Sequence, residues 1–277
     1  MLEACYRPAM ATSLRPIGDH LREWRQRRRM SQLDLALEAD ISTRHLSFLE
    51  TGRSQPSRDM ILNLAERLDV PLRERNLLLV EAGFAPAFQE RPIGDPALRV
   101  ARAAVDLVLK GHEPYPAIAI DRHWTLVAHN AVVPILFAGI AATLLAAPVN
   151  VLRLSLHPDG LAPRIVNLLQ WRAHLFARLR RQIDVTADAA LVELLNELQT
   201  YPAPREPKLA RRPVEEFDGV VVPLQLSLGE GMLNLVSTTT IFGTPVDITL
   251  SELALESFFP ADDATANALR RIAGSAR

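Results

Sequence analysis

The 277-residue chain has a single cysteine, Cys5, so it can close no internal disulfide and cannot assemble a cysteine-rich metal site. It does not open with a charged stretch leading into an apolar core of about 7–15 residues, which argues against a secretory signal and for a cytoplasmic location. Excess charge is also missing. The formal net charge is -1, which excludes a uniformly basic surface and leaves only a local patch for any contact with a polyanion. There is no Gly-x-Ser-x-Gly elbow, no glycine-rich phosphate loop before a helix, no His-Glu-x-x-His and no internal repeat, so the common catalytic signatures are absent. One long apolar run, Ala131 to Val149, has Thr143 as its only conventional polar side chain. A membrane span needs ~20 such residues. Pro134, Gly139 and Pro148 interrupt the run, so a buried or lid-forming helix is expected in place of a span.

Arginine supplies the local patch. Six arginines (Arg15, Arg22, Arg25, Arg27, Arg28 and Arg29) stand against two acids, Asp19 and Glu23, a local excess of four positive charges. Such a cluster is either a polyanion contact or a solvated helix face. Next to it lie Ser31-Gln32-Leu33-Asp34-Leu35-Ala36 and Ile41-Ser42-Thr43-Arg44-His45-Leu46-Ser47-Phe48-Leu49-Glu50-Thr51-Gly52-Arg53. Ser31 and Ser42, eleven residues apart, are each placed to accept a free backbone N–H of a first helical turn. Leu35, Ala36, Ala39 and Ile41 form one apolar stripe and Leu46 and Leu49 another, which leaves Thr43, Arg44 and Ser47 facing outward. Two short helices joined by a tight turn are the layout of a helix-turn-helix that reads DNA.

The surrounding periodicity completes a small helical domain. Ile17, Leu21 and Trp24 mark a first helix, Pro56-Ser57 starts a fourth with Ile61, Leu64, Ala65 and Leu68 inward, and a fifth spans Arg73 to Ala82, with Gly52 and Gly83 as helix stops. Residues 1–16 carry no periodic signal and read as an arm, 17–83 as the helical domain, and 84–96, with Pro86, Pro92 and Pro96, as a linker. From 97 to 277 the pattern is mixed. A helix carrying Leu98, Ala101, Val105 and Val108 precedes two strands, Ala117 to Ile120 and Trp124 to Ala128, around the turn Asp121-Arg122-His123. Helices follow from Arg164 to about Gln182 and from Asp188 to Leu198, before a proline-rich loop from Tyr201 to Pro213. Val220 to Leu228 and Met232 to Phe242 form a hairpin through Gly229-Glu230-Gly231, and Val246 to Leu250 reads as a further strand. His157-Pro158-Asp159-Gly160 reads as a proline turn. His112, His123 and His129 lie near Glu113 and Asp121 at spacings that fit no metal geometry.

Residues 17–83 resemble the xenobiotic-response-element (XRE) or Cro/C1-type helix-turn-helix family. The resemblance implies base reading by Thr43, Arg44 and Ser47 at the start of the recognition helix capped by Ser42, with a phosphate contact from Arg53, while Gln32, at the start of the second helix, is placed for a phosphate or an edge-base contact. Arg44 is suited to a guanine O6/N7 pair, worth ~1–3 kcal/mol of discrimination. Arg25 and Glu50 fall where that family often has an ion pair between the first and third helices. Asp40 replaces the glycine usual in the turn, at some strain in the left-handed region.

From Glu113 to about Arg271 the chain resembles the ligand-binding domain of MmyB-like transcription regulators. The resemblance is carried by Glu113-Pro114-Tyr115-Pro116, Asp121-Arg122-His123-Trp124, Asn150-Val151-Leu152-Arg153-Leu154, His157-Pro158-Asp159-Gly160-Leu161, Phe242-Gly243-Thr244-Pro245-Val246-Asp247-Ile248-Thr249-Leu250 and Glu256-Ser257-Phe258-Phe259-Pro260. It implies an all-α five-helix DNA-binding domain followed by an α+β PAS-like domain that senses a small apolar molecule, of which a fatty acid is one candidate. Trp124, Phe137, Trp171, Phe176 and Phe242 are available as pocket walls, and Arg153, Arg164, Arg172 and His174 as cations for a carboxylate head. No metal or resident cofactor is expected. The expected partners are a palindromic DNA operator, the apolar ligand and a second copy of the chain. Two alternatives stay open: a ligand-free dimerisation or partner-binding module, betrayed by a collapsed pocket, and an enzyme fused to the head, betrayed by a polar pocket with converging titratable groups.

Overall fold

The computed structural model describes residues 16–203, 221–229 and 231–274. The expected N-terminal arm, apart from Pro16, and most of the second proline-rich loop lie outside them. The chain divides into two compact units between Gln89 and Glu90.

The first unit contains α1 (Ile17–Arg27), α2 (Gln32–Glu38), α3 (Thr43–Glu50), α4 (Arg58–Arg67) and α5 (Leu72–Glu81). Ser31, Ser42 and Ser57 cap α2, α3 and α4 by accepting the N–H of Asp34, His45 and Met60 at 3.1, 3.1 and 3.2 Å. All five helices end the same way. The N–H groups of Met30, Ile41, Arg53, Val70 and Phe84 each reach back five residues, to Arg25, Ala36, Phe48, Ala65 and Leu79, at 2.8–3.1 Å. This closure needs a left-handed residue just past the helix. Gly52 and Gly83 supply two, at φ 71° and 84°, whereas Arg29, Asp40 and Asp69 adopt φ 58°, 54° and 46° without being glycine. The core consists of Leu21, Leu35, Leu46, Leu49, Ile61, Leu64 and their neighbours. Phe84 and Ala87 pack against it. The Asn76 side chain accepts the N–H groups of Ala87 and Phe88 and donates to the Phe88 carbonyl at 2.7 Å.

The second unit is a five-stranded antiparallel sheet, ordered β2-β1-β5-β4-β3, with helices on both faces. α6 (Arg99–Gly111) leads into β1 (Ala117–Ile120) and β2 (Leu126–His129); β3 (Leu224–Leu228), β4 (Gly231–Ile241) and β5 (Ala254–Pro260) come from the C-terminal third. The Ala-Ile-Ala-Ile sequence of β1 is buried throughout because both faces are covered. Ile118 and Ile120 join the large core, while Ala117 and Ala119 meet Val105 and Leu109 of α6. Between β2 and β3 lie α7 (Val133–Leu136), α8 (Ala142–Leu145), α9 (Val151–Leu156), α10 (Leu168–Thr186) and α11 (Ala189–Thr200). The short α12 (Ile248–Ser251) and the final α13 (Asp263–Gly274) flank β5.

Several expectations need correction. The apolar run from Ala131 is not one helix: Gly139 turns at φ 82° between α7 and α8, so Val132, Val133 and Leu136 enter the core while much of 142–148 is exposed. No described helix is long and apolar enough to cross a membrane. Val246 to Leu250 is not a strand. The Asp247 carboxylate accepts the Thr249 N–H at 2.9 Å and starts α12 instead, because a capping aspartate outweighs a short apolar stretch. Trp124 belongs to the turn, at φ 65°, and β2 starts two residues later. The central strand β5 and helix α13 were not expected as elements. In β5, Leu255, Glu256 and Ser257 are all buried, so the strand shows no polar-apolar alternation.

Gly18 carries α1 directly onto the end of α3. A Cβ there would stand 2.8 Å from the Glu50 carbonyl oxygen and closer still to that of Leu49. Gly18→Ala gains ~1 kcal/mol of helix propensity but must push two backbone carbonyls apart, an overpacking cost of about 1–3 kcal/mol. The variant is therefore expected to unfold at lower denaturant concentration. A higher midpoint would show that the two helices do not approach this closely.

Candidate nucleic-acid interface and ligand cavity

In the first unit, burial and hydrogen bonding separate structural arginines from presented ones. Glu50, at the end of α3, is 2 % exposed, and Arg25 of α1 is 9 % exposed. Arg25 Nε donates to Glu50 Oε1 at 2.6 Å and its Nη2 to Oε2 at 2.9 Å, a bidentate pair that links α1 to α3. Gln32 Nε2 donates to the same carboxylate at 2.9 Å from the start of α2, and Arg22 Nη2 donates to the Glu50 carbonyl at 2.8 Å. Burial alone would raise the Glu50 pKa; the hydrogen bonds from Arg25 and Gln32 and the charges of Arg25 and Arg22 outweigh it and hold the carboxyl below the usual range. Arg28 donates to the carbonyls of Leu68 and Asp69 at 2.7 and 2.8 Å. Arg22, Arg25 and Arg28 thus clamp helices to one another, Arg27 lies against the Trp24 ring, and Arg29 is exposed.

The outward face of α3 is different. Leu46 and Leu49 are buried, Arg44 and Ser42 are exposed, and Thr43 and Ser47 are partly so. Gln32 has one amide hydrogen engaged by Glu50, and the Ser42 hydroxyl oxygen accepts the His45 N–H; Gln32 keeps its second amide hydrogen and Ser42 its hydroxyl hydrogen for donation. Arg53 is exposed in the loop after α3. Phe48, which sequence reasoning passed over, lies beneath both arginines: the guanidinium carbons of Arg44 and Arg53 stand 5.3 and 5.8 Å from its ring centre. Cation–π contact of this kind pre-orients two long side chains. Its sequence signal is the spacing, since Phe48 follows Arg44 by one helical turn.

The second unit holds an apolar cavity of about 90 Å³, partly open to solvent, between the sheet and the inserted helices. Trp124, Phe137 and Trp171 are among its walls, with Leu136, Leu226 and Phe258; Ser155 and Glu256 are the polar side chains that reach it. Trp171 Nε1 donates to Ser155 Oγ at 3.0 Å, and Trp124 Nε1 donates to Gln182 Oε1 at 2.8 Å. Arg153, Arg164, Phe176 and Phe242 are not wall residues. Phe176 packs in the main core beneath Arg172 and Arg180, and Phe242 packs on the opposite face of the sheet with Leu253 and Leu255. Arg153 makes a bidentate pair with Glu197 at 2.8 and 2.6 Å. The Tyr201 hydroxyl donates to that same carboxylate at 2.6 Å, and burial together with Glu197 pushes the phenol up to about 12. Arg172 donates to the carbonyls of Leu198, Gln199 and Tyr201 at the end of α11. Arg164 donates to the carbonyls of Leu136, Ala138 and Ser227, and its Nη2 is buried with no acceptor. His174 stacks on Trp171, and burial together with the Arg178 and Arg181 charges holds its pKa down.

His123 binds Asp188, His112 binds the Phe258 carbonyl and His129 binds the Asn130 carbonyl. No cluster of three metal-ligating side chains occurs among the described residues.

A helix-turn-helix unit followed by a sheet domain with an internal apolar cavity defines a DNA-binding regulator with a ligand-binding domain. Residues 21–75 match the helix-turn-helix family, and residues 101–272, more than half of the chain, match the MmyB-like transcription regulator ligand binding domain. The chain belongs to the MmyB-like transcription regulators. An HTH-type transcriptional regulatory protein of Methanoculleus marisnigri is 33 % identical over 118 residues, covering 41 % of this chain and 38 % of that protein. The chain therefore spans less than half of that relative. The transcriptional regulator ClgR of Mycobacterium tuberculosis is 32 % identical over 95 residues, which make up 34 % of this chain and 82 % of ClgR. The crystal structure of the clp gene regulator ClgR from Corynebacterium glutamicum aligns with 39 % of this chain and 99 % of its own at 26 % identity, with a TM-score of 0.22, too low to support a comparison of folds.

The Arg25–Glu50 pair makes a sharp stability prediction. Arg25→Ala strands a buried carboxylate and should cost roughly 3–5 kcal/mol, measured by denaturant unfolding near neutral pH. Because the folded Glu50 pKa is depressed, its contribution is present above the unfolded carboxyl value of about 4.3 and is lost as pH falls through the folded value. The gap between wild type and variant should therefore narrow on acidification. A gap that does not depend on pH would show that Glu50 is not the group responsible.

Proposed function

We propose that this protein is a homodimeric, cytoplasmic, sequence-specific transcription regulator whose C-terminal domain, residues 97–277, senses a small, largely apolar molecule. Residues 17–83 are its reading head and 84–96 the connection. The reading is supported above all by the α3 surface, where Thr43, Arg44 and Ser47 point away from a core that buries Leu46 and Leu49. The N-terminus of α3 enters the major groove, Arg44 takes a guanine edge, and Gln32, Ser42 and Arg53 donate to phosphates. Two heads related by a two-fold axis read half-sites about 10 base pairs, or a multiple, apart.

The strand order β2-β1-β5-β4-β3, with helices inserted between β2 and β3, supports the PAS-like reading of the second unit. A cavity walled by Trp124, Phe137 and Trp171 supports a ligand site over a collapsed dimerisation module. Its near absence of polar wall groups speaks against an enzyme, because catalysis in a pocket needs converging titratable side chains. A fatty-acid chain fits such walls as well as any other alkyl chain does. The ligand acts by binding two arrangements of the dimer unequally, and it can shift their balance only by that difference in affinity.

Selection of bound duplexes from a random pool by wild-type protein gives the operator, and the same selection with Arg44→Ala tests the assignment. The variant should keep the wild-type melting transition yet lose ~1–3 kcal/mol of discrimination at a guanine position. An unchanged sequence preference would overturn the role given to α3.

A further inference from the structure

Among the described residues, the cavity wall contains one ionisable side chain, and it is an acid. Glu256 on β5 is 3 % exposed. Arg178 Nη1 donates to Glu256 Oε1 at 2.8 Å and its Nη2 donates to Thr239 Oγ1 at 3.2 Å, while the same guanidinium covers the ring of the wall residue Trp124 at 4.8 Å. The cation that covers a wall ring is therefore already neutralised by a carboxylate. Arg153 is held by Glu197, and the guanidinium of Arg164, fixed by three carbonyls, is not part of the wall. A ligand carboxylate drawn into this space would lose its hydration without gaining a free cation, because the Arg178 guanidinium is already paired with Glu256. An uncharged polar end meets a better site. The Ser155 hydroxyl accepts the Trp171 indole N–H and can turn its own hydrogen toward a ligand oxygen.

We propose that the cavity selects an uncharged apolar molecule, such as an alcohol or an ester, over the carboxylate of the same chain length, and that Glu256, by occupying Arg178, is the residue that sets this preference. The inference rests on the reading of the cavity as the ligand site. Arg178 is its counterpart: with Glu256 neutral, the guanidinium would be free to pair with an anion. One side chain therefore decides between two ligand classes without contributing much to the area of contact.

Probes with a six-carbon chain suit a cavity of this size. Binding of hexan-1-ol, methyl hexanoate and hexanoate to the full chain at pH 7.5 would be followed by ligand-observed NMR and by the fluorescence of Trp124 and Trp171, both in the wall. The alcohol and the ester are expected to bind at least about tenfold more tightly than hexanoate, a gap of ~1.4 kcal/mol. Glu256→Gln should move that ratio toward hexanoate by a similar factor. Should Glu256→Gln not fold, the wild-type ranking of the three probes decides by itself. Hexanoate binding as tightly as the alcohol would overturn the inference while leaving the cavity as a ligand site, and loss of that binding in Arg164→Gln would assign the anion to Arg164. If none of the three probes binds, the ligand-site reading falls and the inference with it.

Discussion

The head is organised around a carboxylate that water does not reach. Glu50 receives Arg25 from α1 and Gln32 from α2 while standing at the end of α3, so one buried charge fixes the mutual placement of three helices. Such a pair adds little net stability once desolvation is counted, but any rotation or slip of α3 would leave charge unmatched in a low-dielectric interior. The apolar core would tolerate small slides among leucines; the hydrogen-bonded carboxylate would not. The presented residues Thr43, Arg44 and Ser47 therefore start from a fixed frame, and Phe48 holds two arginines above it. Gly18 belongs to the same constraint, because only a residue without Cβ lets α1 come near enough for Arg25 to reach across.

The second unit solves the opposite problem. Its cavity is lined almost wholly by side chains that make no hydrogen bonds, and its polar groups are either occupied by one another or placed beyond the wall. Charged residues there hold elements together: Arg153 joins α9 to α11, Arg172 closes the end of α11, and Arg164 ties the α7 region to β3. Apolar molecules enter such a space by displacing little ordered water, and specificity then depends on shape and on the few polar atoms that remain.

What could be read from the sequence follows from how local each signal is. The caps at Ser31, Ser42 and Ser57 are contacts within four residues, so the helix starts were readable to the residue. The Arg25–Glu50 pair was reachable through resemblance, although spacing alone could not distinguish it from two surface charges. Charge in a sequence does not reveal that one member of the arginine cluster, Arg28, turns inward to the carbonyls of Leu68 and Asp69, about forty residues away along the chain. β5 escaped notice because a strand covered on both faces buries Glu256 and Ser257 beside Leu255 and so loses the period of two. Trp124, Phe137 and Trp171 were identifiable as large apolar groups, but which of them face one space depends on pairings between β1 and β5 that no local pattern encodes. The partners of the candidate cations were equally out of reach, since Glu197 lies 44 residues from Arg153.

The position of β5 in the sheet also bears on the order in which the protein is made. β1 pairs with β5 through Ala117 with Ser257 and Ile120 with Ala254, so the strand at the centre of the sheet leaves the ribosome only after nearly all of the domain has been synthesised. The head closes through contacts that lie within its own short span, such as Arg25 with Glu50 and Arg28 with the Leu68 carbonyl, whereas the sheet waits on a much longer loop closure. Each nascent chain therefore passes through a stage in which a finished DNA-reading head trails an unfinished sensor with an open cavity wall. A premature stop before residue 254 would leave a complete head and a ligand-binding domain that lacks its central strand.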